Sequence, residues 1–107
     1  MYILAYKKVV EGEFLRVSSS DVSAEPELAG TYTLLDKNSK GTDRVWIKTE
    51  NNTTMTLKFD FTNEVWTFYA NTTDWYAHTD THINPWDSYL FIDIASMEEI
   101  IINIDIR

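Results

Sequence analysis

The chain has 107 residues, contains no cysteine and carries a formal net charge of −8, with 44% hydrophobic and 24% charged residues. The length fits one domain, 1–107, and the composition is that of a folded protein rather than a disordered chain. The absence of cysteine excludes disulfide scaffolds, thiol catalysis and cysteine-based zinc sites.

Residues that favour strands are abundant and fall in short segments separated by turns. Residues near 23–29 fit a single helical turn capped by Ser23, or a plain loop. The pattern predicts an all-β fold, a mostly antiparallel β-sandwich or flattened barrel of about seven or eight strands. In chain order the predicted strands are 2–10, 14–18, 31–35, 44–50, 55–62, 65–70, 89–95 and 100–107.

Two segments show the clearest alternation of apolar and polar residues. Residues 55–62 place Met55, Leu57, Phe59 and Phe61 on one face, and the isoleucine-rich segment 100–107 alternates in the same way. We expect the apolar face of each segment to form core.

Three aspartates interrupt apolar strand segments: Asp60, Asp93 and Asp105. Alternation predicts that each points outward, where a carboxylate keeps a strand soluble and discourages edge pairing. If their strands are neighbours, an acidic stripe or a calcium-like oxygen cluster is the alternative.

Residues 71–88 form a long, polar stretch that carries several aromatic residues. Its pattern predicts an irregular loop, with a short strand inside 75–82 as the alternative. Long loops in compact domains are often functional. Candidate site residues are therefore expected here.

The negative charge is concentrated in residues 54–107, where Lys58 and Arg107 are the only basic residues. Binding to phosphates and to anionic membranes depends on Lys and Arg, so neither nucleic acid nor a membrane surface is an expected partner. A protein with a basic surface would instead be attracted to this half of the chain.

Both histidines lie in the short segment His78-Thr79-Asp80-Thr81-His82. On a strand, His78, Asp80 and His82 would point the same way, and imidazole with carboxylate suits zinc or another divalent ion. The alternative is a polar loop whose histidines contact water. No other cofactor is indicated.

Aromatic and acidic residues are interleaved in the same stretch. Exposed Trp and Tyr side chains are typical binding anchors, and nearby carboxylates would form a charged rim. The alternative is a second small core beneath the loop. The predicted binding residues are Trp75, Tyr76, Trp86, Tyr89, Asp74, Asp80 and Asp87.

No nucleophile elbow, phosphate loop or dinucleotide fingerprint occurs in the sequence. We therefore predict a non-enzymatic protein-binding domain of the acidic inhibitor, immunity or anti-defence type. The first alternative is a carbohydrate-binding module whose loop aromatics stack on a glycan. The second is a virion or assembly subunit that forms a homo-oligomer.

The first residues, Met1 to Lys8, lack the basic-then-apolar order of a secretory signal. Together with the absence of cysteine, this predicts a cytoplasmic protein of viral or bacterial origin, which would act in the host-cell cytoplasm if virus-encoded. A mature secreted fragment is the alternative.

Overall fold

The computed structural model describes residues 10–107, which form one nine-stranded antiparallel sheet with a meander topology. Three short 3₁₀ turns, Pro26–Leu28, Gly41–Asp43 and Pro85–Asp87, interrupt the connections. Within residues 10–107 no helix is long and apolar enough to cross a membrane. The strands are β1 Phe14–Ser18, β2 Gly30–Leu34, β3 Val45–Glu50, β4 Thr53–Asp60, β5 Val65–Ala70, β6 Thr73–His78, β7 Leu90–Asp93, β8 Glu99–Ile101 and β9 Asn103–Ile106.

The last two strands bring the edges of the sheet together into a nearly closed barrel. Only Ile102 separates β8, which pairs with β7, from β9, which pairs with β1. At this junction the Ile101 backbone is held by side chains: its N–H donates to the Asp21 carboxylate at 2.8 Å, and its carbonyl accepts from the Ser19 hydroxyl. Bringing the edges together in this way shortens the exposed strand edges that would otherwise pair with other chains.

The core fills the inside of the barrel with alternate side chains from nearly every strand. Trp46, Trp66, Tyr32 and Phe68 are among the largest fully buried residues. Edge-to-face contacts join these rings, with centroids 5.7 Å apart for Trp46 and Trp66 and for Tyr32 and Phe68. A small barrel filled in this way has no continuous internal cavity for a large ligand.

Tight turns join the central strands. Asn51 and Asn52 form the two-residue turn between β3 and β4, and both have positive φ, at 51° and 66°. This left-handed conformation suits asparagine and matches the twist of a β-hairpin.

The predicted all-β architecture, an antiparallel flattened barrel, is confirmed. The alternation predictions also hold for Met55, Leu57 and Phe59. In the last segment they hold for Ile100, Ile102 and Ile104, whereas Ile106 is 42% exposed. All of the predicted strand 2–10 except Val10 lies outside the described residues. Both edges of β1 are paired, with β2 and β9.

Four local predictions were wrong. Phe61 lies beyond the end of β4 and is 64% exposed. The short helical turn predicted near 23–29 is present as a 3₁₀ turn, but Glu25 is at its N-cap and no side chain, Ser23 included, caps it. In place of the loop expected over 71–88, residues 73–78 form strand β6, which overlaps the alternative of a short strand inside 75–82. Asp93 points inward, because it pairs with the buried Tyr76.

Candidate binding site

The structure separates the predicted binding residues into two groups along β6. Asp74, Trp75 and Tyr76 lie at the start of this strand. The other predicted residues, Asp80, Trp86, Asp87 and Tyr89, follow its end. The two groups therefore belong to opposite ends of the barrel and do not form one surface.

The first group lines a pocket of about 400 Å³ between β6, the end of β7 and the loop that precedes the Pro26–Leu28 turn. We call it the acidic pocket. It brings together three carboxylates and two aromatic rings, and no Lys or Arg lines it. Its lining residues are Glu25, Thr73, Asp74, Trp75, Tyr76, Asp93, Ile94 and Ala95.

A β-bulge positions Trp75 in this pocket. Phe68 pairs with Tyr76, whereas the next residue, Tyr69, pairs with Asp74, so Trp75 is the extra residue of β6. Its carbonyl instead accepts a hydrogen bond from the Ile94 N–H at 2.9 Å. Bulges re-aim side chains and are frequent beside functional sites.

Tyr76 links the pocket to the core and to the neighbouring loop. Its ring is buried and lies edge-to-face with the half-buried Trp75, with centroids 6.3 Å apart. Its hydroxyl oxygen accepts a hydrogen bond from the Glu25 N–H at 3.0 Å, which holds that loop at the rim. Burial raises the pKa of Tyr76, so the phenol is neutral at neutral pH.

Asp93 connects the pocket to the turn that follows β7. One of its carboxylate oxygens accepts hydrogen bonds from the N–H groups of Ala95, at 3.0 Å, and Ser96, at 3.4 Å. The carboxylate therefore both shapes this turn and adds negative charge to the pocket. A guanidinium or ammonium group suits such a pocket, because carboxylates and an aromatic ring both attract a cation.

A second concavity of about 400 Å³ lies on the outer face of β5, β6 and β7. We call it the outer groove. Asp74 and Ile94 line both the groove and the acidic pocket, so the two are adjacent. The residues that line the groove are Asp60, Asn63, Val65, Thr67, Asp74, Ala77, His78, Ile92, Ile94 and Met97.

At the other end of the barrel, Trp86 is half-buried and packs on this chain's own residues. The Arg44 guanidinium lies 5.1 Å from the Trp86 ring centroid and 5.2 Å from that of Trp46. The Asp87 carboxylate accepts a hydrogen bond from the Asn84 N–H at 3.0 Å in a capping box. These side chains hold the loop in place. Tyr89, in the same region, is 61% exposed and faces solvent.

The two histidines are close to each other, but they do not form the three-ligand set that the sequence suggested. Their ring centroids are 5.1 Å apart, and among residues 10–107 no three His, Asp or Glu side chains are grouped to hold a metal ion. His78 is 3% exposed; its Nε2 lies 3.2 Å from the Ser88 carbonyl, and its Nδ1 has no hydrogen-bond partner. Burial lowers the pKa of His78 to about 4, so the ring is neutral at neutral pH.

The sequence did not point to Glu25 or Asp93 as pocket residues. Glu25 lies in a loop far from β6 in sequence, and Asp93 was expected on the outer face. The sequence signal that Asp93 ends a strand was the turn formed by the residues after it, which include Ala95 and Ser96. No known protein family, curated protein or solved structure is detectably similar to the chain.

Proposed function

We propose that this chain is a non-enzymatic protein-binding domain that engages a basic surface of a partner protein, in the manner of an acidic inhibitor, immunity or anti-defence protein. The observation that carries the proposal is the acidic pocket. Three carboxylates surround two aromatic rings there, and no basic side chain among the lining residues neutralises them.

An arginine or lysine of the partner would enter this pocket. Its cationic group would lie against the half-buried Trp75 ring and within reach of the Asp74 and Asp93 carboxylates. A cation held by an aromatic face and by carboxylates in a partly desolvated pocket contributes more than a surface ion pair does. Trp75 would thus be the anchor and Asp74 part of the charged rim.

The charge of the surrounding barrel supports the same kind of partner. Asp60, Asp74 and Asp93 lie on or beside β4, β6 and β7, and the chain has only two basic residues after residue 53. Such a field speeds the encounter with a basic surface, and salt weakens it. We expect the association rate to fall steeply as ionic strength rises.

Affinity capture from a host lysate with four forms of the protein, the wild type and three single variants, would test the proposal. Wild type and Asp105→Asn, a charge change on the outer face of β9, should retain the same partner. Asp74→Asn and Trp75→Leu should lose it. The captured protein should present Lys or Arg at the contact, and its association rate should depend on salt.

A partner whose association rate is independent of salt, or whose capture is unaffected by both Asp74→Asn and Trp75→Leu, would remove the acidic pocket from its recognition. Quenching of tryptophan fluorescence by a member of a glycan panel would support the carbohydrate-binding alternative instead.

A further inference from the structure

We propose that the outer groove receives an aliphatic side chain from the same partner segment whose basic side chain enters the acidic pocket. The recognised element is then an extended segment in which a Lys or Arg and a Leu, Ile or Val project side by side. This inference rests on the proposed function and adds the sequence character of the partner.

More of the surface of the outer groove is apolar than polar, whereas the outside of a barrel is ordinarily polar. Outward positions of antiparallel strands usually face water and carry polar residues. Here Ala77 pairs with Thr67 on one side and Ile92 on the other, so small side chains lie beside a large one on the outer face. Thr67 is only 2% exposed although it points outward. This arrangement produces a concave apolar surface.

The turn after β7 joins the groove to the acidic pocket. Met97 lines the groove, is 70% exposed and has a positive φ of 61°, which is a strained conformation for methionine. The Met97 N–H donates to the Asp93 carbonyl at 2.7 Å. The Asp93 carboxylate, in turn, is part of the acidic pocket. One turn therefore presents a carboxylate to the pocket and a large apolar side chain to the groove.

Charge complementarity selects the occupant of the groove. Asp60 and Asp74 are among its lining residues, and no Lys or Arg is. Asp60 accepts hydrogen bonds from the Asn63 side chain and from neighbouring N–H groups, and the side-chain bond is the main reason that its pKa is lowered. A largely apolar surface bordered by carboxylates favours a segment that combines aliphatic and basic residues.

Because the acidic pocket and the outer groove are adjacent, the basic and aliphatic side chains of the partner must be close together in its sequence. Because Asp74 and Ile94 line both concavities, the two sites share a wall. In an extended segment, side chains two positions apart point the same way and are about 7 Å apart. A basic and an aliphatic residue separated by one residue would therefore fill both sites together.

Three blocked pentapeptides provide the test: Gly-Arg-Gly-Leu-Gly, Gly-Arg-Gly-Gly-Gly and Gly-Gly-Gly-Leu-Gly. Each is titrated into the wild-type protein and followed by NMR through the Trp75 indole N–H and the methyl groups of Ile92 and Met97. The first peptide should shift all three signals and bind about tenfold more tightly than the second, as burial of one aliphatic side chain predicts. The second should shift Trp75 alone.

Two variants locate the effect of leucine. Ala77→Leu fills the groove and should abolish the tenfold advantage while leaving the Arg-dependent shift of Trp75. Ile47→Thr, the matched control, removes an aliphatic residue from the outer face of β3, where Ile47 pairs with Thr33. It should change neither the tenfold advantage nor the NMR shifts. The wild-type methyl shifts provide the same information if the Ala77 variant does not fold.

The results separate the two proposals. If both arginine peptides shift Trp75 but the leucine neither tightens binding nor shifts the methyl signals, the groove inference is overturned and the acidic pocket stands. If neither arginine peptide shifts Trp75, both proposals fail.

Discussion

Replacing the buried His78 with phenylalanine should remove much of the pH dependence of this protein's stability in mildly acidic solution. His78 packs on Phe91, with ring centroids 4.1 Å apart, and its Nδ1 has no hydrogen-bond partner. Burial is the main cause that lowers its pKa, and the neighbouring His82 lowers it further. The backbone carbonyls of Ser88 and Pro85 and the charge of Asp87 oppose this shift only in part.

The direction and size of the effect follow from that lowered pKa. The folded state disfavours the protonated ring, so between the ordinary value of 6.5 and the folded value of about 4 the unfolded chain binds a proton that the folded chain does not. The free energy of unfolding therefore falls as the pH drops through this window, and the loss is complete below about pH 4. At about 1.4 kcal/mol per pKa unit, the shift corresponds to about 3 kcal/mol.

Urea unfolding followed by tryptophan fluorescence at about pH 7 and about pH 4 measures this loss. Carboxylates that titrate in the same range are common to the wild type and the variant. The difference between their two losses of unfolding free energy on acidification therefore isolates the contribution of His78. At neutral pH, His78→Phe should cost about 1 kcal/mol, because the Ser88 carbonyl loses its hydrogen bond. His82→Gln, the control, should retain most of the wild-type loss. If His78→Phe loses as much stability on acidification as wild type, the assignment of a neutral, buried imidazole is wrong.

Two further predictions concern the end of the barrel at which Trp86 packs. Gly12→Ala should lower the free energy of unfolding by about 1–3 kcal/mol, because φ is +73° and the new Cβ would lie 2.8 Å from the Trp86 ring. Gly41→Ala, at φ +57° with no atom within 4 Å, is the control for backbone strain alone and should cost less in the same urea experiment. Arg44→Met should cost about 2 kcal/mol and speed hydrogen exchange in the segment that contains Asn84, whose side chain accepts from Arg44. Unchanged exchange there would contradict the stabilising role of Arg44.

Strand positions with strict alternation could be predicted because alternation is a local property of extended chain. Met55, Leu57 and Phe59 had to share a face wherever β4 was placed. The same reasoning failed at the ends of strands. Phe61 continues the apolar alternation of β4 past the turn at which the Asp60 carboxylate accepts a hydrogen bond from the Thr62 N–H. Asp93 lies on the inward face because it pairs with Tyr76. Register depends on the partner strand, which local alternation does not identify.

Strand β6 shows where tertiary structure overrides local preference. Its residues Thr73–His78 are polar enough to predict a loop, yet β5 and β7 each supply a hydrogen-bonding partner. The barrel accepts the buried His78 because its ring packs on Phe91 and Nε2 reaches a carbonyl. These compensations come from residues distant along the chain, so the sequence pattern of β6 alone did not predict them.

The sequence by itself determined that this is an acidic, all-β domain with a negatively charged second half, because charge and alternation are properties of the residues. It also identified Asp74, Trp75 and Tyr76 as candidate binding residues. Only the tertiary structure decided that these three meet Glu25 and Asp93 in one pocket, while Trp86 packs beside Arg44 at the opposite end of the barrel. The physical reason is that β6 is an extended strand, so it carries the two halves of one short segment to opposite ends of the barrel.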